Sequence, residues 1–348
     1  MSPFVKAFFL LNVFLGTFLT FIATHWLLAW VGLELNTLAM IPVMIEDRSP
    51  RHTEATVKYF LVQALGAMVL ISGAAMNAYI YGWHISSVNY PPATVLITLG
   101  IALKMGLAPF HLWYPDVMQG IPLGTCLILS TWQKLAPFAL IIQASDSLNP
   151  HLLAALGLLS TLVGAWGGIN QTQVRKIMAY SSIAHLGWMF IIIQHSPRLA
   201  ALTMLSYFVM TTALFVVFKQ VLKTSLSSLA LKWTKNPILV FFATLILASL
   251  AGLPPLTGFM PKVMILTELA EQHFPLLAIA TALSALISLF FYLRLGYILS
   301  LIIWPNVSSS PSLWRGKLKS QFTLPAITAT ALMFLPLMPT ILAYLELL

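Results

Sequence analysis

The chain has 348 residues, of which 59% are hydrophobic and only 8% carry a formal charge. Soluble domains carry about 25% charged residues, so this composition excludes an ordinary globular protein with a polar surface. The net charge of +9 could suit a nucleic-acid partner, but so apolar a surface argues against one, and the composition predicts a membrane protein.

The apolar segments predict an all-α polytopic membrane protein with about eleven transmembrane helices. A transmembrane helix needs about 20 mostly apolar residues, and about eleven segments of the sequence reach that length. The segment near 237–271 is too long for one crossing and contains AGLPPLTGFMPK, so we interpret it as two half-helices joined at a break. The predicted helices lie near residues 3–23, 25–45, 55–81, 94–113, 122–144, 150–170, 175–194, 199–222, 237–271, 275–303 and 324–345.

The distribution of basic residues supports this count. With eleven helices, the N-terminus and every second loop share one side of the membrane, and that side collects most of the basic residues. The positive-inside rule therefore assigns it to the cytoplasm or its organellar equivalent. The basic residues on this side are Lys6, Arg48, Arg51, Arg175, Lys176, Lys223, Lys232, Lys235, Arg315, Lys317 and Lys319.

The fourth and ninth predicted helices carry similar interruptions, KMGLAPFHLWYPD and LAGLPPLTGFMPK. We expect Pro109, Pro254 and Pro255 to break these helices, because proline lacks a backbone N–H. The two breaks stand five helices apart, and a repeat of five helices must insert upside down, as in transporter cores. We therefore predict one transmembrane domain over residues 1–348, with inverted five-helix repeats near 1–146 and 147–305 and an extra C-terminal helix near 320–348.

Four ionisable side chains lie near the centres of predicted helices: Glu34, Lys104, Lys134 and Lys262. Each costs at least about 2.5–3.5 kcal/mol at mid-membrane. Burial disfavours the charged form of such groups, so a buried lysine or glutamate can release or take up a proton. A broken helix needs protein or water to satisfy its freed backbone groups, and water beside a lysine allows proton exchange. This set therefore predicts a proton relay.

Two histidines extend the relay hypothesis. His111 follows the first break, and His185 lies in YSSIAHLGWMF of the seventh predicted helix. Imidazole exchanges protons near neutral pH, which suits a relay, but a histidine on an apolar helix is also a common packing residue. Both interpretations stay open for these two residues, whereas Lys219 is interpreted as a structural lysine near the end of its helix.

The chain carries no recognisable cofactor motif. It has no CxxC pair, no glycine-rich phosphate loop after a strand and no histidine pair at haem or metal spacing, and its single cysteine, Cys126, excludes a disulfide within the chain. We therefore expect no bound cofactor or metal, and no catalytic residue of its own.

Five stretches of the sequence occur in the order seen in the antiporter-like subunits of respiratory complex I. They are VGLELNTLAMIP, ALKMGLAPFHLWYPDV, QKLAP, NQTQVRKIMAYSSIAHLGW and AGLPPLTGFMPK. The chain resembles this family over essentially its whole length. The resemblance implies a proton-translocating membrane-arm subunit of an enzyme complex that couples NADH:ubiquinone electron transfer to proton pumping.

The resemblance also implies roles for individual residues. Glu34 would modulate a neighbouring lysine, Lys104 would act beside the first break, Lys134 would connect the relay, and Lys262 would pass protons at the second break. NADH, FMN, iron–sulfur clusters and ubiquinone would belong to partner subunits. The partners would be other membrane-arm subunits, including further antiporter-like chains, and lipids. The location would be the mitochondrial inner membrane, with the N-terminus in the matrix and the C-terminus in the intermembrane space.

Two other functions fit the same residues. The first is an Mrp-type cation/proton antiporter subunit, which shares the fold and the lysines, although the count of eleven helices favours the respiratory complex. The second is a passive scaffold in which the buried charges only fix helix packing.

Overall fold

A computed structural model describes residues 2–45, 49–221, 237–301 and 323–347. The prediction of an all-α membrane protein is confirmed for these residues, which form helices joined by short segments. The chain divides into two compact units, Met1–Ser160 and Thr161–Leu348.

The first unit is built from paired helices, with α1 packed against α2 and α3 against α4. Prolines at the first turn start α1, α3 and α4, where a missing N–H costs nothing. A 3-10 turn over Ser145–Ser147 leads into α8 (Pro150–Gly168), within which the boundary between the units falls. The preceding helices are α1 (Pro3–Ile22), α2 (Trp26–Met44), α3 (Pro50–Tyr81), α4 (Pro91–Met105), α5 (Trp113–Gly120), α6 (Leu123–Ser130) and α7 (Trp132–Ala144).

The predicted helix near 94–113 ends early, at Met105. Pro109 has no N–H to offer the Met105 carbonyl, and Gly106 takes a left-handed conformation with φ of 75°. The Gly106 N–H bonds back to the carbonyls of Ala102 and Leu103, at 3.0 and 3.2 Å, which closes the last turn. Residues 106–112 then connect α4 to α5.

The predicted helix near 122–144 is interrupted at Thr131, which the sequence analysis did not anticipate. Pro137, inside α7, cannot donate to the Gln133 carbonyl one turn earlier, so the helical bonding is weakened on the N-terminal side of the proline. The Thr131 hydroxyl donates to the Leu127 carbonyl at 2.7 Å and so competes with regular helix bonding. Lys134 consequently lies in the first turn of α7 rather than at the middle of a long helix.

The second unit continues α8 and adds seven helices among the described residues. The segment near 237–271, predicted to consist of two half-helices, forms α11 and α12, which residues 252–258 separate. Gly252, with φ of 86°, ends α11. The helices are α9 (Val174–Ile192), α10 (Pro197–Val221), α11 (Pro237–Ala251), α12 (Phe259–Glu271), α13 (Pro275–Leu301), α14 (Thr323–Met333) and α15 (Met338–Leu347).

The C-terminal helix predicted near 324–345 is bent. The segments Pro325–Met333 and Leu335–Tyr344 meet at 55°. Pro336 and Pro339 explain the bend, because neither residue can donate a backbone hydrogen bond to the preceding turn. The Thr257 hydroxyl donates to the Ala331 carbonyl at 2.7 Å, which ties segment 252–258 to the end of α14.

Seven helical stretches of the described chain are long and apolar enough to cross a membrane, or eight if the bent C-terminal pair is one crossing. The segments Pro91–Met105 and Phe241–Ala251 are apolar but shorter than a full span. Several residues used to orient the chain lie outside the described residues, namely Arg48, Lys223, Lys232, Lys235, Arg315, Lys317 and Lys319.

Candidate functional sites at the two broken helices

Lys104 occupies the last turn of α4, beside the first break, and only 6% of the residue is exposed. Its Nζ lies 4.0 Å from Oε1 of Glu34, on α2, and donates no hydrogen bond to another group of the described residues. The attraction between an ammonium and a carboxylate at this distance is large in a protein interior and sensitive to small movements. The Lys104 ammonium therefore faces the Glu34 carboxylate inside the first unit.

The backbone around Lys104 is satisfied by another side chain. Gln63 Nε2, on α3, donates to the Lys104 carbonyl at 3.1 Å, and Gln63 is itself buried. That carbonyl belongs to the last turn of α4 and would otherwise lack a donor. Gly66 and Gly100 allow α3 and α4 to approach closely at this level. The Lys104 ammonium is thus left free of a capping role.

A cavity of about 20 Å³ lies beside Lys104, which is room for about one water molecule. Lys134 Nζ reaches the same cavity and stands over the Tyr114 ring, 4.9 Å from its centroid. A cation over an aromatic face is stabilised by the ring quadrupole. The spacing of the two lysines in the sequence did not predict that they share a cavity. The other residues that line it are Leu33, Asn36, Thr37, Tyr59, Gln63, Met105, Trp113, Leu129, Gln133 and Pro137.

Three of the polar lining residues that sequence analysis did not single out form a chain of hydrogen bonds. Gln133 Nε2 donates to Asn36 Oδ1 at 2.8 Å, and the Tyr59 hydroxyl donates to Gln133 Oε1 at 3.3 Å. The chain of bonds joins α2, α3 and α7 beside the lysines. Amide side chains inside apolar spans are expensive, and that cost was the available signal.

Glu34 faces two environments. Its side chain is 24% exposed and also lines an open groove on the surface of the first unit, between α1 and α2. The Thr37 hydroxyl donates to the Glu34 carbonyl at 2.9 Å and lies 3.3 Å from Oε2. The carboxylate therefore stands between the buried lysine and the surface of its unit.

Lys262, in the first turn of α12, meets the second break differently. Its Nζ donates to the carbonyls of Ala251 at 2.8 Å and Leu250 at 3.4 Å, at the C-terminus of α11. These are the carbonyls that Pro254 and Pro255, four residues later, cannot serve. The negative end of the helix dipole also favours a cation here. Lys262 therefore caps the half-helix.

A second cavity of about 20 Å³ lies beside Lys262 and is lined also by His185 on α9. His185 Nε2 and the Tyr292 hydroxyl, on α13, are 3.4 Å apart. The histidine ring also stacks against Tyr207, with centroids 5.3 Å apart. The structure thus places His185 and Lys262 at one cavity, with Thr203, Ser206, Met210 and Gly258 among its other lining residues.

The remaining predicted residues lie at the breaks themselves. Pro109 and His111 lie in segment 106–112, and Pro254 and Pro255 lie in segment 252–258. The three prolines are exposed, whereas His111 is half-buried and is not among the residues that line the Lys104 cavity. The described residues contain no group of three or more His, Cys, Asp or Glu side chains that could hold a metal ion.

The chain is similar to known proteins in both sequence and structure. A family model described as NADH:quinone oxidoreductase/Mrp antiporter, TM, matches residues 23–288. A second model, NADH dehydrogenase subunit 2 C-terminus, matches residues 289–342. Two proteins named NADH-ubiquinone oxidoreductase chain 2 are similar over full length. The one from Cyprinus carpio is 52% identical and covers 98% of this chain and 99% of its own, and the one from Salmo salar is 51% identical and covers 100% of both.

Solved structures show the same fold. A chain of respiratory complex I from Thermus thermophilus, determined with bound aureothin, matches with a TM-score of 0.84 and 28% identity, over 97% of this chain and 78% of that one. A chain of the Mrp complex from Dietzia sp. DQ12-45-1b matches with a TM-score of 0.72 and 17% identity, over 86% and 60%. The second likeness concerns the fold alone.

Two broken helices, each with a lysine at the break, and the matching family model define an antiporter-like membrane protein. The chain belongs to the NADH-ubiquinone oxidoreductase chain 2 family.

Proposed function

We propose that this chain is a proton-translocating membrane-arm subunit of NADH:ubiquinone oxidoreductase, respiratory complex I. One observation carries the proposal: a buried lysine, Lys104, lies at a broken helix, 4.0 Å from Glu34 and beside a cavity that it shares with Lys134. The Lys104 ammonium faces a carboxylate and is not fixed by backbone carbonyls, so a change at Glu34 can alter its charge.

In the first unit, the proposed transfer begins with Glu34. While its carboxylate is charged and close, Lys104 keeps its proton, and when the carboxylate is neutralised or moves away, burial favours release of that proton. Water in the shared cavity would accept the proton and pass it to Lys134. The Asn36–Gln133–Tyr59 hydrogen bonds would hold the walls of this cavity in place.

In the second unit, Lys262 and His185 share a cavity and form the proposed exchange point. The α11 carbonyls hold a charged Lys262 in place, so its deprotonation requires the ammonium to leave the helix end. His185 would receive the proton through cavity water, and the neighbouring Tyr292 hydroxyl would orient its imidazole.

The proposed topology has eleven crossings. They comprise the eight apolar spans together with α9 and the two broken helices, α4 with α5 and α11 with α12. We propose inverted repeats near residues 1–146 and 147–305, followed by a C-terminal helix. The similar breaks, each with a glycine of positive φ at the end of its first half-helix, support the repeat. The proposed location is the mitochondrial inner membrane, with the N-terminus in the matrix and the C-terminus in the intermembrane space.

We propose that the chain itself binds no cofactor and contributes no redox centre. NADH, FMN, iron–sulfur clusters and ubiquinone would be bound by partner subunits, and electron transfer there would drive the movements near Glu34. The proposed partners are the other membrane-arm subunits, including other antiporter-like chains, and lipids.

The alternative is an Mrp-type cation/proton antiporter subunit. The family model over residues 23–288 and the Dietzia likeness fit both functions. The match of residues 289–342 to the NADH dehydrogenase subunit 2 C-terminus favours the respiratory complex.

Native gel electrophoresis of mildly solubilised membranes tests the choice between these functions. The band that contains this chain would be stained for NADH oxidation in the gel. We expect a very large, NADH-active assembly. A small and inactive band that persists in several mild detergents would contradict the proposal, and proton exchange dependent on sodium would then identify an antiporter.

A further inference from the structure

Two histidines meet at one end of the first unit, away from the lysines. His25 precedes α2 and His84 lies between α3 and α4, and the two form an isolated antiparallel bridge. The Trp26 N–H donates to the Trp83 carbonyl at 2.9 Å, and the Ile85 N–H donates to the Thr24 carbonyl at 3.1 Å. The two histidines lie between these bonds and exchange none themselves.

This pattern defines a non-hydrogen-bonded pair, the type in which opposite side chains approach most closely. The imidazole rings accordingly stand with centroids 4.5 Å apart and planes inclined by 42°, and both residues are exposed. Two imidazoles on one exposed face can turn their lone pairs toward a shared ligand.

The backbone that carries the pair is held in place. Asn77, fully buried on α3, donates to the carbonyls of Gly82 at 3.2 Å and Ser87 at 3.1 Å, on either side of His84. On the other side, Trp26 is buried and begins α2. The separation of the two Cα atoms is therefore fixed by groups that the side chains do not influence, as a preorganised site requires.

The ring spacing suits a metal ion. With a metal–nitrogen distance of about 2.1 Å, a bridged ion lies about 3.2 Å from each ring centroid. The observed separation of 4.5 Å then corresponds to a nitrogen–metal–nitrogen angle of about 90°, the angle between neighbouring ligands of tetragonal or octahedral ions. A tetrahedral angle would need centroids about 5.2 Å apart, which a modest turn of two exposed rings supplies.

We infer that His25 and His84 form a two-ligand site for a divalent first-row transition-metal ion, with water completing the coordination. Imidazole suits Ni²⁺, Cu²⁺ and Zn²⁺, and the absence of a carboxylate ligand in the pair excludes Mg²⁺ or Ca²⁺ as the preferred ion. A bound ion ties the segment before α2, the helix of Glu34, to the segment before α4, the helix of Lys104. The site does not depend on the proposed function.

Histidine footprinting on the native assembly tests the site with Ni²⁺ as the probe. Membranes are treated with diethyl pyrocarbonate at increasing Ni²⁺, and modification of each histidine is read by peptide mass spectrometry. We expect Ni²⁺ to lower the modification of His25 and His84 at least about fivefold, with one shared half-saturating concentration, and Mg²⁺ to have no effect. His151, an exposed histidine of the same unit, should stay reactive.

A matched variant distinguishes a shared site from two separate ones. In membranes carrying His84→Gln, which leaves the backbone bridge intact, the Ni²⁺ needed to protect His25 should rise at least about tenfold, because one of two ligands is lost. His151→Gln should change nothing. Unaltered protection of His25 in His84→Gln would overturn the inference. So would the absence of protection in the parent chain, or a lack of reactivity of both histidines before metal is added.

Discussion

The two broken helices use a lysine in opposite ways. In the second unit, Lys262 donates to the carbonyls of Leu250 and Ala251 and so completes the end of a half-helix. In the first unit, Gln63 serves the last-turn carbonyl of Lys104, and the Lys104 ammonium faces Glu34 instead. Backbone carbonyls bind the Lys262 ammonium, and the Lys104 ammonium faces a carboxylate.

The difference shows that the number of backbone carbonyls left without donors at a break decides whether a nearby lysine binds them. Two adjacent prolines free two carbonyls at the second break, and a lysine that follows the break reaches back to them. The first break contains one proline, Pro109, and Lys104 lies before it, where Gln63 donates to the Lys104 carbonyl and the ammonium is not needed as a cap. We therefore expect Lys104 to respond to Glu34, and Lys262 to respond to movement of α11 relative to α12.

The largest expected effects come from replacing the two lysines, and the two variants should differ in thermal stability. Lys104→Met and Lys262→Met should each lower NADH:ubiquinone turnover at least about tenfold, since each removes a proposed proton-transfer group. Lys262→Met should also lower the midpoint temperature of inactivation. It leaves two buried carbonyls without the lysine donors, at about 1–3 kcal/mol each. Lys104→Met removes a buried ammonium that donates no hydrogen bond among the described residues, and the Glu34 carboxylate that remains is 24% exposed, so that temperature should fall less than in Lys262→Met.

Thermal inactivation of the solubilised complex, followed by turnover and by native gel, checks this contrast. Lys219→Met, which changes an exposed lysine near the end of α10, serves as the control. Equal loss of stability in the two test variants would show that the Lys262 bonds to the α11 carbonyls do not stabilise the protein more than the Lys104 contact with Glu34 does.

The next effect concerns the carboxylate. Glu34→Gln should lower turnover about threefold to tenfold, because the Lys104 ammonium loses its charged neighbour at 4.0 Å. In a double-mutant cycle, Glu34→Gln should add little to Lys104→Met, since the two groups act as a pair. Glu54→Gln, at an exposed carboxylate paired with Lys58, is the control and should be nearly silent. Fully additive losses would show that Glu34 acts elsewhere.

A smaller effect should come from Gln63. Gln63→Leu leaves the Lys104 carbonyl without its donor and should cost about 1–3 kcal/mol, measured as a lower midpoint of thermal inactivation. The exposed Gln272, just after α12, donates through its side chain to Glu268 and provides Gln272→Leu as a control. An unchanged midpoint in Gln63→Leu would mean that the helix end is satisfied without it.

The smallest effects should arise at the two glycines of positive φ. Gly106→Ala and Gly252→Ala should each cost about 1–2 kcal/mol of backbone strain, measured as a lower inactivation midpoint. A Cβ at Gly252 would lie 2.9 Å from Lys262 Nζ, whereas one at Gly106 would meet Trp113 and Tyr114 at 3.3 Å. Only Gly252→Ala should therefore disturb the lysine directly and lower turnover as well. Gly296→Ala, inside α13 with open space around it, is the control and should change neither quantity. Equal turnover losses in Gly106→Ala and Gly252→Ala would argue against a specific effect on Lys262.

The parts of this arrangement that could be predicted from sequence are local. Pro109 and Pro254 predict breaks because each removes a hydrogen bond to a carbonyl only one turn earlier in the chain. The interruption at Thr131 escaped prediction because no proline or glycine stands beside it, and Pro137 lies further along, inside α7.

The partners of the charges could not be predicted, because they are tertiary contacts. Gln63 lies 41 residues from Lys104, and Gln133 lies 97 residues from Asn36. Amide groups inside apolar helices indicate a polar interior, but the hydrophobic periodicity of the sequence does not predict which side chains form hydrogen bonds with one another. The closeness of Lys104 and Lys134 at one cavity, and of His25 and His84 at one bridge, follows from packing alone.

The ratio of protons translocated to NADH oxidised tests the central claim most directly. It would be measured in vesicles that carry the complex with Lys104→Met, beside Lys219→Met vesicles. We predict a lower ratio for Lys104→Met and an unchanged ratio for Lys219→Met. A full ratio in the Lys104→Met vesicles, with the chain assembled in the complex, would contradict the role of this lysine in proton translocation.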